Sequence, residues 1–150
     1  MKKRICTAFA ALFLLTVLVP CFSALASSVF RSYSFTMEQR FVDGWKNGNS
    51  FSLPACDAII YGSVSAEIRY PGTMQHTPEP LPVNYSLYRK GFLNIVPIEV
   101  ATVYGSATGS FEGSFGSVPE SSTYYLCIWK VNQDGWRSTG NGWVKGTYNP

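Results

Sequence analysis

One histidine, His76, is all the imidazole this chain carries, and charged side chains make up only 14% of it. A lone imidazole excludes any site that needs two. A Ser-His-Asp hydrolase would have to be built on His76 alone, and no G-x-S-x-G elbow accompanies it. No closely spaced carboxylates of the D-x-D-x-D-G kind offer a calcium loop. Tetrahedral zinc takes about four N/S ligands, or three with water. Beyond residue 26 only His76, Cys56 and Cys127 could supply them. No metal site, cofactor or enzymatic activity is expected. Helical periodicity is missing as well, since past residue 26 no window sustains apolar residues at i, i+3, i+4 and i+7.

Lys and Arg number 12 against 9 Asp and Glu, a formal net charge of +3. That balance first suggests a basic protein for an anionic partner, but the position of the charges changes its meaning. Lys2, Lys3 and Arg4 precede an apolar run, Ile5 to Val19, of about 15 residues, short of the roughly 20 that cross a bilayer. Pro20 ends the run, and Ala24-Leu25-Ala26 puts small residues where a signal peptidase reads them. Residues 1–26 are therefore predicted to form a secretory signal peptide with a helical apolar run, removed to leave Ser27 first. Pro20 and Val19 before Cys21 argue against lipidation there. Without the three early cations, nine basic residues face nine acidic ones. They are scattered, with only Arg89 and Lys90 adjacent, so the basic stripe that phosphates require is missing. The expectation is a secreted protein, extracellular or held at the cell surface, with no nucleic-acid partner and no membrane contact once the signal is cleaved.

Residues 27–150 suit a single domain. All 13 glycines lie here, and the apolar pattern alternates. From Asp57 to Tyr70, Ala58, Ile60, Val64, Ala66 and Ile68 share one face while Ser63, Ser65, Glu67 and Arg69 share the other. Side chains alternate across a strand, so one face is buried and the other wetted. From Ala101 to Phe115 the odd positions carry Val103, Phe111 and Phe115 together with Gly105, Gly109 and Gly113. So long a stretch is read as one curved strand or two joined at a glycine. Phe30 to Met37, Ser50 to Leu53, Val83 to Lys90, Phe92 to Val100 and Thr123 to Val131 read as further strands, with Pro97 marking an edge. Trp136 to Ser138 and Trp143 to Tyr148 close the series. Asn47-Gly48, Lys90-Gly91, Asp134-Gly135 and Asn141-Gly142 signal turns. Pro71 to Pro82 is the one long loop. The predicted fold is an all-β, antiparallel β-sandwich, jelly-roll or immunoglobulin-like. Ser122-Thr123-Tyr124-Tyr125-Leu126 resembles the T-Y-Y-L strand of secreted bacterial β-sandwiches, jelly-roll accessory domains among them. That resemblance implies a fold class and nothing finer.

Loss of Cys6 and Cys21 with the signal leaves Cys56 and Cys127 in an oxidising compartment, where a disulfide between them is expected. Closing that loop of about 70 residues would be worth roughly 4 kcal/mol in the chain-entropy picture. The alternative is two buried free thiols packed as small apolar groups. Asn84-Tyr85-Ser86 fits a glycosylation acceptor.

Three copies of Asx-Gly-Trp recur, at Asp43-Gly44-Trp45, Asp134-Gly135-Trp136 and Asn141-Gly142-Trp143. Asx-Gly favours turns with positive φ, so each Trp is expected to open a strand. Trp45, Trp136 and Trp143 are the candidate ligand contacts, a platform on which sugar rings stack. The plainer reading makes them covers for the ends of the core. Trp129, inside an apolar strand, is read as core. The leading expectation is a non-enzymatic binding module for carbohydrate or another cell-envelope ligand. Alternatives are a bacteriocin-like toxin or effector that binds a protein partner through loop 71–82, and a structural envelope or matrix component.

Overall fold

The computed structural model describes residues 26–69, 75–91 and 96–149. The expected signal peptide lies outside the described residues apart from Ala26. The first residues of the proline-rich loop and of the Phe92 stretch also lie outside them.

The strands are β1 (Ser27–Met37), β2 (Phe41–Asp43), β3 (Ser50–Leu53), β4 (Cys56–Ile68), β5 (Asn84–Lys90), β6 (Pro97–Tyr104), β7 (Gly109–Val118), β8 (Ser121–Trp129) and β9 (Trp136–Tyr148). Sheet I runs β1-β9-β4-β7. Sheet II runs β2-β8-β5-β6, with β3 pairing β8 beyond β2. Every pairing is antiparallel. If β2 and β3 count as one interrupted strand, this is the order of a jelly roll, two four-stranded sheets face to face. The β-sandwich read from the sequence is thus the fold.

Alternation builds the core. Ala58, Ile60 and Val64 of β4, Tyr85 and Leu87 of β5, and Tyr124, Leu126 and Ile128 of β8 meet between the sheets. Tyr85 is the hub. Its ring stacks on Phe111 at 4.6 Å and meets Tyr33 and Phe35 edge-on at 5.8 and 6.0 Å, the offset and T-shaped arrangements that ring quadrupoles favour. The interior strand β9 makes room with glycine. A Cβ on Gly140 would lie 2.5 Å from Phe35 Cε1, and one on Gly142 would run into the Tyr61 carbonyl.

The Ala101–Phe115 stretch divides at Gly105 into β6 and β7, one in each sheet. Pro97 opens β6, which is an edge strand. Asn141-Gly142 corrects the sequence reading. It is no turn: β9 runs unbroken through it, with Gly142 opposite Gly62 on one side and Tyr33 on the other. The glycine serves close packing there. Asn84 is buried in β5, so the glycosylation acceptor is closed to a glycan.

Candidate functional site

On β9 the side chains of Ser138 and Val144 are buried, so Asn141 and Trp143 point outward from sheet I. On β4 the buried Ile60 and Val64 leave Tyr61 and Ser63 on that same outer face. The register then aligns one row across all four strands. Ser32 faces Trp143, Trp143 faces Tyr61, and Tyr61 faces Glu112. The next row is Ser34, Asn141, Ser63 and Ser110. Beyond it Ser65 and Thr139 join hydroxyls at 2.8 Å. A shallow depression of about 590 Å³ lies over Tyr61, Ser63, Ser110, Glu112, Asn141 and Trp143. Trp143 is 55% exposed in the middle of a sheet. The floor under it is held from behind, because the Tyr33 hydroxyl donates to the Tyr61 carbonyl at 3.3 Å.

The outer face of sheet II is aromatic in a different way. Leu126 and Ile128 face the core, so Tyr125, Cys127 and Trp129 face out. Tyr88 stacks on Tyr125 at 5.7 Å, and Trp45 tilts against Tyr125 at 6.0 Å. Lys90 places its Nζ 3.3 Å from the Trp45 ring centroid, a cation–π contact. Trp45 does not open a strand. It stands in the turn after β2, where Asp43 Oδ1 accepts its amide at 3.0 Å. A groove of about 390 Å³ continues from this cluster, lined by Arg40, Phe41, Tyr88, Glu99, Trp129 and Val131 over Ser86. Trp129 therefore lines a groove and is not part of the core. Tyr88 donates to Glu99 Oε2 at 2.9 Å. Burial, with the Glu99 carboxylate adding, pushes the Tyr88 hydroxyl up to about 12.

Trp136 opens β9 as expected, but it seals the end of the sandwich. Its Nε1 donates to the Thr77 carbonyl at 3.0 Å, and its ring meets His76 edge-on at 6.0 Å. Asp134 holds the same end. It accepts the Leu81 and Trp136 amides and the Lys130 ammonium. This part of the proline-rich loop is pinned to the β8–β9 turn. The three Asx-Gly-Trp copies thus lie in three places: Trp143 on sheet I, Trp45 on sheet II, and Trp136 against the loop. They form no common platform. Among the described residues no three His, Cys, Asp or Glu side chains gather as metal ligands.

The expected Cys56–Cys127 disulfide is not formed, and both cysteines are buried free thiols. Cys56 points between the sheets with Ala58 and Ile60, whereas Cys127 points outward from sheet II. A bridge would have to cross the β8 backbone. Burial raises both thiols, Cys127 to about 11, with Asp43 and Glu99 adding to it.

Trp143 and Trp45, singled out in the sequence, are exposed, whereas the groove that Tyr88 and Trp129 share with Glu99 was not read from the sequence. The parity of Leu126 and Ile128 was the available signal for Trp129. No protein-family model matches the chain, and no curated protein matches it by sequence. Among solved structures the chain is similar to one from Bacillus endospore appendages, described as a novel family of disulfide-linked pili. The match has 12% identity and a TM-score of 0.31, over 87% of this chain and 96% of that one.

Proposed function

We propose that the protein is an exported, non-enzymatic binding module that takes a glycan of the cell envelope on the outer face of sheet I. The observation that carries this reading is the row Ser32–Trp143–Tyr61–Glu112. An indole 55% exposed at mid-sheet leaves a large apolar area in water, and its register partner is a second aromatic ring. Exposed hydroxyl and amide groups of Ser34, Asn141, Ser63 and Ser110 surround them. Flat rings stack on the apolar face of a sugar, and the neighbours offer donors and acceptors to its hydroxyls. One carboxylate, Glu112, is the only charge in these two rows, which suits a neutral polymer. Retention on insoluble polysaccharides tests the reading. The wild-type protein is expected to be retained by at least one neutral glycan, with Trp143→Ala weakening retention at least 10-fold, about 1.4 kcal/mol. Equal retention of the variant, or none by any glycan, would refute it.

A second reading rests on β1. Among the described residues it is an edge strand of sheet I, and it runs beside a crevice of about 370 Å³ between the sheets, floored by Phe35, Val42, Phe51, Leu126 and Ile128. Such an edge with an apolar floor suits an added strand from a protein partner or a second copy, which is the structural role. Sedimentation across a concentration range separates self-association from the glycan reading.

A further inference from the structure

We infer that the groove on the outer face of sheet II is a second binding site, for an alkylated ammonium group of the choline type. It is independent of the glycan face, which lies on the opposite sheet.

The register defines the walls of the groove. Asn84 faces Trp129, Ser86 faces Cys127 and Tyr88 faces Tyr125. Trp129 and Tyr88 therefore stand at the two ends of a trough over Ser86. Phe41 of β2, opposite Trp129, closes one side. Glu99 of β6, opposite Tyr88, closes the other. Three aromatic side chains and one carboxylate line the open trough, with Arg40, Lys130 and Val131 at its border.

The hydrogen bonds within it decide what can bind. Trp129 Nε1 donates to Ser86 Oγ at 3.0 Å. Thr102 Oγ1 donates to Glu99 Oε1 at 2.6 Å, and Tyr88 donates to Oε2 at 2.9 Å. The Thr102 proton is committed to Glu99, so in the 2.5 Å contact between Ser86 and Thr102 the donor is Ser86. The chain runs one way, Trp129 to Ser86 to Thr102 to Glu99. The donors of Trp129, Ser86, Thr102 and Tyr88 are thus spent inside the protein and lead to one carboxylate, Glu99. A sugar also wants donors for its ring and hydroxyl oxygens, and between the aromatic walls the donors of Trp129, Ser86, Thr102 and Tyr88 are already engaged. An alkylated ammonium makes no such demand. It needs π faces and a negative charge, and the trough presents both.

Two cations border the groove. Lys130 Nζ is withdrawn, fully buried on Asp134 and the Trp136 carbonyl, and offers its stem alone. Arg40 is exposed at the Phe41 side, where it can meet an anionic phosphate carried next to the ammonium. The favoured ligand is therefore a phosphocholine-type zwitterion.

Titration of intrinsic fluorescence with choline, phosphocholine, ethanolamine and neutral hexoses, at constant ionic strength, tests the site. Choline and phosphocholine are expected to quench saturably, with phosphocholine tighter and ethanolamine at least 10-fold weaker. Glu99→Gln and Phe41→Ala should each weaken choline at least 10-fold. Trp143→Ala should leave choline binding intact while losing the glycan, so the two readings fail separately. If Glu99→Gln does not fold, Phe41→Ala, at an exposed position, decides. Co-sedimentation with phosphatidylcholine vesicles would assign the headgroup to a lipid. Binding of soluble phosphocholine alone would assign it to a non-lipid carrier, and both results uphold the site. Equal binding of ethanolamine, displacement of choline by a hexose, or unchanged affinity in folded Phe41→Ala would overturn it.

Discussion

Lys130 Nζ lies 2.9 and 2.8 Å from the two carboxylate oxygens of Asp134, and solvent reaches neither side chain. Truncating one partner strands a buried charge. Lys130→Met is expected to cost about 3–5 kcal/mol. Asp134→Ala should cost more, since the Leu81 and Trp136 amides also lose their acceptor, at about 1–3 kcal/mol for each orphaned group. Urea denaturation measures both. A loss under about 1 kcal/mol for Lys130→Met would mean the pair is solvated.

Cys56 and Cys127 give a chemical test of the sandwich geometry. Folded, unreduced protein should react slowly with a thiol reagent at neutral pH, because both thiols are buried and both are raised above the ordinary value. After denaturation without reductant, both should react. Their absence in the denatured, unreduced sample would show a disulfide, and with it a different orientation of β8.

Alkali is expected to unfold the protein cooperatively. Burial raises the Tyr33, Tyr85 and Tyr88 hydroxyls, the first two beyond the range of an ordinary titration. A raised value in the folded state favours the neutral form there. The associated stability is whole below the unfolded value near 10 and is lost as pH rises through the folded values, for Tyr88 between 10.0 and about 12. Tyrosinate absorbance should therefore lag that of free tyrosine and then rise together with loss of near-UV ellipticity. Tyr85→Phe should move that midpoint upward. Independent ionisation of all the tyrosines near pH 10 would contradict the buried cluster.

Glycines separate by what surrounds them. Gly140→Ala brings a methyl to 2.5 Å from the Phe35 ring, and Gly142→Ala drives one into backbone. Overpacking of this kind costs about 1–3 kcal/mol, with Gly142 at the upper end because a carbonyl cannot rotate away. Gly48, at φ 72° with nothing within 4 Å of a Cβ, has only its left-handed backbone to oppose substitution, about 1–2 kcal/mol. Thermal unfolding should rank the alanine variants Gly142, Gly140 and Gly48, from most to least destabilised.

Period-two patterning made most strands legible. Ala58, Ile60 and Val64 announced the inner face of β4, and Pro97 announced an edge. The three residues of β2 are too few to show a period, so that strand was invisible. Asn141-Gly142 looked like a turn because glycine signals either a turn or a close approach. Tyr33 and Tyr61, brought alongside from distant sequence, decide between the two. The disulfide was argued from compartment, but bridging depends on which way each Cys points. Trp143 was legible as a candidate. Its partner Tyr61 and the Glu99 trough emerged only when register joined strands far apart in sequence.

The central claim concerns the face around Trp143. Two-dimensional NMR of the protein titrated with an oligosaccharide of the retained glycan tests it most directly. The expected result is that the Trp143 indole N–H and the Tyr61, Asn141, Ser63 and Glu112 amides shift together with one dissociation constant, while the Trp129, Trp45 and Trp136 indoles stay still. Shifts centred on sheet II or on the β1 edge, with the Trp143 indole unmoved, would contradict it.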